Sequence, residues 1–239
     1  MGGLESLIEE LIAARRADPG GRGDLLSLLL AAGEDGSAPP EAELRDQLIT
    51  FLFAGHETTA LGLTYALRAL GHHPTARERL REELAEVTGD EPPGLADLPE
   101  LSYTDRFVRE TLRLYPPAYA LFREATEDTE LGDYRIPAGS KLSLPQIHVH
   151  RDGRFYDDPE SFRPDRWTDG TERPEYAYFP FGGGPRHCIG MRFARMELKL
   201  VVATVLAAVD VDPVGGPDID FEPGVTLRPA EPVEAVVRR

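Results

Sequence analysis

Phe181-Gly182-Gly183-Gly184-Pro185-Arg186-His187-Cys188-Ile189-Gly190 contains the only cysteine in the 239-residue chain. Its three glycines let the backbone approach something flat and bulky. A helical pattern starts at Met191 and runs to about Val209. The cysteine therefore opens a helix, where backbone N–H groups and the positive end of the dipole favour an anion. For a cysteine taken alone, a buried structural residue after a turn is the favoured reading. A phosphate loop is excluded, because no Gly-Lys-Ser/Thr follows the glycines. A single cysteine also excludes an internal disulfide and any multi-cysteine zinc or iron–sulfur site. It is consistent with a cytoplasmic protein.

Upstream of this loop, the chain changes texture near residue 118. Residues 1–117 read as helical and 118–239 as β-rich, with no internal repeat and no clean boundary, so a single domain is expected. Leu4 to Arg16 is an amphipathic helix with Leu4, Leu7, Ile8, Leu11 and Ile12 on one face. Asp24 caps a short helix to Ala32. The longest helical pattern opens at Pro40 or Glu41 and runs to about His72, before Pro74. Its middle is apolar nearly all round, so it is expected to cross the core. Further helices run from Pro74 to Val87 and from about Tyr103 to Tyr115, the latter stopped by Pro116 and Pro117. LFREATED, YRIP and KLSLPQIHVH read as short strands between turns. RDGRFYDDPESFRPDRW is a long aperiodic loop of the kind that carries a function or a fixed packing role. The fold class is mainly α with small β-sheets.

Two other stretches carry chemistry. Ala54-Gly55-His56-Glu57-Thr58-Thr59-Ala60 sits in the middle of the long apolar helix. Glu57 beside Thr58 couples a titratable acid to a hydroxyl, and buried carboxylates are rare unless paired or functional. A polar kink, with Thr58 bonding back to a carbonyl, is the alternative. A zinc-protease motif is rejected, because the second histidine it needs would fall at Ala60. In ETLRLYPP, Glu110 and Arg113 share a helical face. As a surface pair they would contribute only ~0–1 kcal/mol. Burial would demand further partners, for which Arg166 in FRPDRW is a candidate.

The net charge is −16, with 42 acidic residues and only Lys141 and Lys199 as lysines. This balance argues against nucleic acid as a partner. It resembles a surface adapted to a salt-rich cytoplasm, although codon bias toward arginine gives the same composition. No apolar run reaches the ~18 residues of a membrane span. The start lacks the features of a signal peptide. Gly2 and Ser6 fit an N-myristoylation pattern that is short enough to arise by chance.

The order AGHETT, ETLR, FRPDRW, FGGGPRHCIG resembles the cytochrome P450 family. The cysteine signature is matched in full at Phe181, Gly184, Arg186, Cys188 and Gly190. The AGHETT form is similar to the fatty-acid hydroxylase branch. The resemblance implies haem b, with Cys188 as the thiolate ligand of its iron and Phe181 packed near the sulfur. It implies that Arg186 and Arg123 meet the haem propionates, and that Ala54 and Gly55 lie over the distal haem face. Glu57 and Thr58 would be the acid–alcohol pair that relays protons. Glu110, Arg113 and Arg166 would form a buried charge triad fixing the loop behind the haem. Asp165 and Trp167 stand where the family often has Glu and Phe.

The implied activity is insertion of one atom of O2 into a small apolar organic substrate. Electrons would come from a separate ferredoxin or flavoprotein. Family members are longer, so the chain is expected to match their C-terminal half, with the substrate lid in the other half. Two alternatives follow: an inactive haem-binding remnant, or a peroxide-driven haem-thiolate enzyme, against which Glu57-Thr58 argues. Among the histidines, His72-His73 read as a solvated helix end. His148 and His150 alternate on a strand, where, without a third ligand nearby, packing and hydrogen bonding are favoured over a metal pair, and His187 faces the propionates or a redox partner.

Overall fold

A computed structural model describes residues 2–18, 23–31, 40–89, 91–168 and 170–238. Two compact units divide the chain, Met1–Glu57 and Thr58–Arg239. The fold is α+β, with seven α-helices and four two-stranded antiparallel sheets among the described residues.

The first unit holds α1 (Gly2–Ala17), α2 (Leu25–Ala31) and the first part of α3 (Glu41–His72). Ile8 and Ile12, one turn apart on α1, bury against Leu44, with Leu4, Leu26, Leu29, Leu30, Leu48 and Ile49 around them. Leu7 and Leu11, expected on the same buried face, are exposed. Successive residues point about 100° apart on a helix, so a contact one residue wide buries only one of each Leu-Ile pair. Asp24 accepts the Ser27 N–H at 3.0 Å, capping α2, and Arg15 on α1 pairs with the same carboxylate at 2.5 Å.

In the second unit, α4 (Pro74–Val87), α5 (Ser102–Leu114) and α7 (Met191–Ala208) pack with the C-terminal half of α3. Ala66, Ala69 and Leu70 of α3 meet Leu80, Leu84, Phe107, Val202 and Leu206. Each helix burying a stripe at this spacing removes apolar area worth roughly 25 cal/mol per Å2. The N-terminus of α5 is capped from α4: both oxygens of Glu83 accept backbone N–H groups of Tyr103 and Thr104, the latter at 2.8 Å. The core does not extend along all of α3. Leu52 and Phe53, expected inside, are 52% and 69% exposed. His73 is not a solvated helix end; its ring stacks on Phe162 with centroids 4.5 Å apart.

The strands follow α5. β1 (Leu121–Glu124) pairs with β4 (Lys141–Leu144), bringing Arg123 opposite Leu142. Between them, β2 (Thr129–Leu131) and β3 (Tyr134–Ile136) form a hairpin. KLSLPQIHVH is not one strand. Pro145, which fixes its own φ and lacks an N–H, precedes a single helical turn, α6 (Gln146–Val149). His148 and His150 therefore do not alternate across a sheet: His148 is exposed and His150 is fully buried. After α7, β5 (Asp210–Pro213) pairs with β8 (Ala235–Arg238), and β6 (Phe221–Pro223) with β7 (Leu227–Pro229). Tyr65 of α3 donates its hydroxyl to the Leu227 carbonyl at 2.8 Å, and Leu227 N–H donates to Pro117, tying the tail to the end of α5.

Candidate functional site

The long aperiodic loop is held by a buried ion cluster. Glu110, Arg113 and Arg166 are at most 1% exposed. Both Glu110 oxygens are used: Oε2 accepts Arg113 Nε at 3.0 Å. Oε1 accepts Arg113 Nη2, Arg166 Nε and the Arg163 backbone N–H, each at 2.8 Å. The two guanidinium groups spend their remaining N–H bonds on backbone carbonyls of the loop. Arg113 reaches His150, Pro159 and Ser161, at 2.8, 2.6 and 3.1 Å. Arg166 reaches Asp157, Asp158 and Ser161, at 2.9, 3.2 and 2.9 Å. All five Arg113 donors are thus satisfied. Two buried positive charges against one carboxylate would be costly without such oxygens. The exchange works in both directions: carbonyls that no helix or sheet satisfies acquire donors. Tyr156 packs beneath, its ring centroid 5.0 Å from the Arg113 guanidinium, and burial pushes its hydroxyl pKa up to about 12.

The cysteine loop is closed by its own backbone. Gly182 N–H donates to the Phe179 carbonyl and Cys188 N–H to the Phe181 carbonyl, both at 2.9 Å. Phe181 packs on Val108, Leu112 and Leu198 of α5 and α7. The three glycines have separate causes. Gly182 and Gly184 lie at φ +74° and +66°, where an L side chain is strained, and a Cβ on Gly183 would stand 2.5 Å from the Tyr176 ring. The loop's geometry therefore accounts for glycines that the sequence alone attributes to a flat neighbour. Cys188 itself is exposed, which removes the reading of a buried structural thiol.

Around the thiol the surface is apolar and basic. Ile189 is 83% exposed and Phe193, on the first turn of α7, is 63% exposed. The β1 strand adjoins the loop, since a Cβ on Gly182 would lie 3.6 Å from Leu121 Cδ1. That strand presents exposed Phe122 and, next to it, Arg123. Arg123 donates only to the Phe122 carbonyl, and Arg186 engages no acceptor among the described residues. Neither Arg123 nor Arg186 pairs with a carboxylate among the described residues, and exposed Arg192, on the first turn of α7, likewise engages no acceptor there. His187 lies beside them, its Nδ1 2.9 Å from the Gly184 carbonyl. A sulfur donor, exposed apolar side chains and arginines without carboxylate partners fit a flat, apolar, metal-bearing group that carries carboxylates. Haem is such a group.

Ala54 and Gly55 lie exposed on α3, while Glu57 and Thr58 are half-buried on the same helix, each with interactions of its own. Among the described residues no cluster of three His, Cys, Asp or Glu could hold a metal ion, and no helix is long and apolar enough to cross a membrane. His150, for which packing and hydrogen bonding are favoured over metal binding, is buried and its ring takes a hydrogen bond from Phe179 at the start of the cysteine loop.

A self-closed, glycine-rich loop that exposes a single cysteine is the arrangement expected of the thiolate-ligated haem proteins. The family model for cytochrome P450 matches residues 2–235, and the chain belongs to that family. It is 42% identical over 229 residues to cyclooctatin synthase of Streptomyces melanosporofaciens, covering 94% of this chain and 50% of that protein. It is 41% identical over 225 residues to pentalenene oxygenase of Streptomyces avermitilis, covering 92% and 49%. A putative cytochrome P450 132 of Mycobacterium tuberculosis is 37% identical over 237 residues, covering 99% and 51%. The chain spans about half the length of these curated relatives.

Proposed function

We propose that this chain is the haem-binding portion of a monooxygenase that inserts one atom of O2 into a small apolar organic substrate. The observation that carries this reading is the exposed Cys188 thiol in a self-closed loop, beside the uncommitted Arg186 and the Arg123 strand. Cys188 would hold the iron of haem b through its sulfur, and Arg186 and Arg123 would each take a propionate. Phe181 would shield the sulfur from water. Bound haem supplies the activation of O2 that side chains cannot perform. The chain's part is then ligation, proton delivery and exclusion of water. Glu57 and Thr58 are neighbours on α3, about 100° apart around its axis. A water between the carboxylate and Thr58 Oγ1 would let a proton pass from one to the other.

Electrons would come from a separate ferredoxin or flavoprotein, and the working location would be the cytoplasm. Relatives named as a pentalenene oxygenase and a cyclooctat-9-en-7-ol 5-monooxygenase support an apolar carbon skeleton as substrate. The test supplies haem, a ferredoxin with its reductase, 18O2 and a panel of such compounds. One labelled oxygen per product is expected. Thr58→Ala should release more hydrogen peroxide per electron pair consumed, and unchanged coupling would remove Thr58 from the relay. Product formed from hydrogen peroxide alone, without electron donors, would replace this reading with a peroxide-driven one.

A further inference from the structure

We propose that His150 is a positioning residue for the cysteine loop, tethering the start of that loop to the buried ion cluster. This inference rests on the reading of Cys188 as the haem ligand. His150 is fully buried at the end of α6. Its Nε2 accepts the Phe179 N–H at 2.9 Å, and its own backbone carbonyl accepts Arg113 Nη1 at 2.8 Å. Phe179 is where the loop begins, since its carbonyl accepts the Gly182 N–H. A connected line of bonds therefore runs from Glu110 through Arg113 and His150 to Phe179. From there it passes through the Gly182 turn to the Phe181–Cys188 closure.

The ring is built to serve as an acceptor. A ring nitrogen that accepts carries no proton, so the neutral imidazole holds its proton on Nδ1. Burial, aided by the Arg113 guanidinium, pushes the pKa of His150 down to about 3, which keeps Nε2 available through the neutral range. Tyr178 stacks on the ring with centroids 5.4 Å apart, and Phe179 meets it edge-on at the same distance. His150 Nδ1 and both amide atoms of Gln146, one turn earlier, are buried with no partner among the described residues. The Phe179 bond is thus the ring's one polar anchor there. Tyr178 adds a parallel tie by donating its hydroxyl to the Arg109 carbonyl of α5 at 3.1 Å.

Two variants separate tethering from bulk. His150→Phe keeps a ring of similar volume and removes the acceptor. His150→Gln can present Oε1 near the former Nε2. Amide hydrogen exchange on the full chain without added haem reads the tether directly, and alkylation of Cys188, the only thiol, reads it a second way. In His150→Phe, exchange over residues 179–188 should accelerate about tenfold, as expected for one lost buried bond. Residues 104–114 of α5 should change less than twofold. Cys188 should alkylate faster, and His150→Gln should recover most of both effects. With haem, His150→Phe should lower the fraction of ferrous carbonyl showing thiolate ligation, and His150→Gln should restore it. Unchanged loop exchange in His150→Phe, an equal rise in α5, or failure of His150→Gln to rescue would overturn the tether. Absence of a thiolate carbonyl in the unsubstituted chain would instead overturn the haem reading, with the exchange results still deciding the tether.

Discussion

Replacing Glu110 by Gln preserves shape and deletes one charge at the centre of the ion cluster. The Gln oxygen can keep the three 2.8 Å bonds now made to Oε1. Its amide nitrogen would face Arg113 Nε, now bonded to Oε2 at 3.0 Å, so donor meets donor. Two guanidinium groups, both at most 1% exposed, lose the carboxylate they share. Removing one partner from such a pair costs ~3–5 kcal/mol, against a typical domain stability of ~5–15 kcal/mol. Urea unfolding followed by the fluorescence of Trp167, the only tryptophan, reports on this region. Its ring lies 4.1 Å from the Arg109 guanidinium and touches Tyr156 and Tyr178. With a slope of about 2 kcal/mol per M, the midpoint should fall by roughly 1.5–2.5 M. The control is Asp128→Asn, which weakens an ion pair of similar length (2.6 Å to Arg135) at 52% and 74% side-chain exposure. It should move the midpoint by less than about 0.3 M, because exposed pairs are screened and contribute little. Equal shifts in the two variants would refute the argument that burial, not distance, sets the cluster's contribution.

His150 titrates with a definite sign. Its folded pKa, about 3, lies below the unfolded value of 6.5, so the unfolded chain takes up the proton first. The His150 contribution is present in full above pH 6.5 and is lost as pH falls toward the folded pKa, at about 1.4 kcal/mol per pH unit. Between pH 6.5 and 5, the unsubstituted chain should lose about 2 kcal/mol more than His150→Gln, and parallel pH profiles would contradict this. In the cysteine loop, Gly182→Ala and Gly184→Ala force Cβ atoms onto φ values of +74° and +66°. Each should cost ~1–2 kcal/mol by thermal melting. Gly190→Ala, whose Cβ would meet only Cys188 Sγ at 3.8 Å, should leave the melting temperature nearly unchanged.

Local patterns made the helices and the motifs legible. Pro74 at the start of α4 and the apolar period of α7 mark those elements almost to the residue. The spacing from Phe181 to Gly190 locates the loop that exposes Cys188. Among tertiary contacts, the meeting of Arg166 with Glu110 and Arg113 was legible as a candidate, but the carbonyls that complete it were not. Nothing in RDGRFYDDPESFRPDRW states that its carbonyls at Asp157, Asp158, Pro159 and Ser161 meet two guanidinium groups. Alternation in IHVH mimics a strand, yet Pro145 starts a helical turn that buries His150 and leaves His148 outside. The apolar run through α3 reads uniformly, although Tyr65, Ala66 and Leu70 are core and Leu52 and Phe53 are surface. Periodicity reports which side chains are apolar, and burial depends on what packs against them.

Binding of haem iron by the Cys188 sulfur is the property on which the proposed activity depends. The direct measurement is the carbon monoxide difference spectrum of the dithionite-reduced, haem-loaded chain, compared with Cys188→Ala. Molar salt is the medium of choice, since a net charge of −16 is best screened where the Debye length is ~3 Å. A strongly red-shifted Soret band is expected in the unsubstituted chain and should disappear in Cys188→Ala. A band typical of imidazole ligation in the unsubstituted chain, or a red-shifted band that survives the substitution, would contradict it.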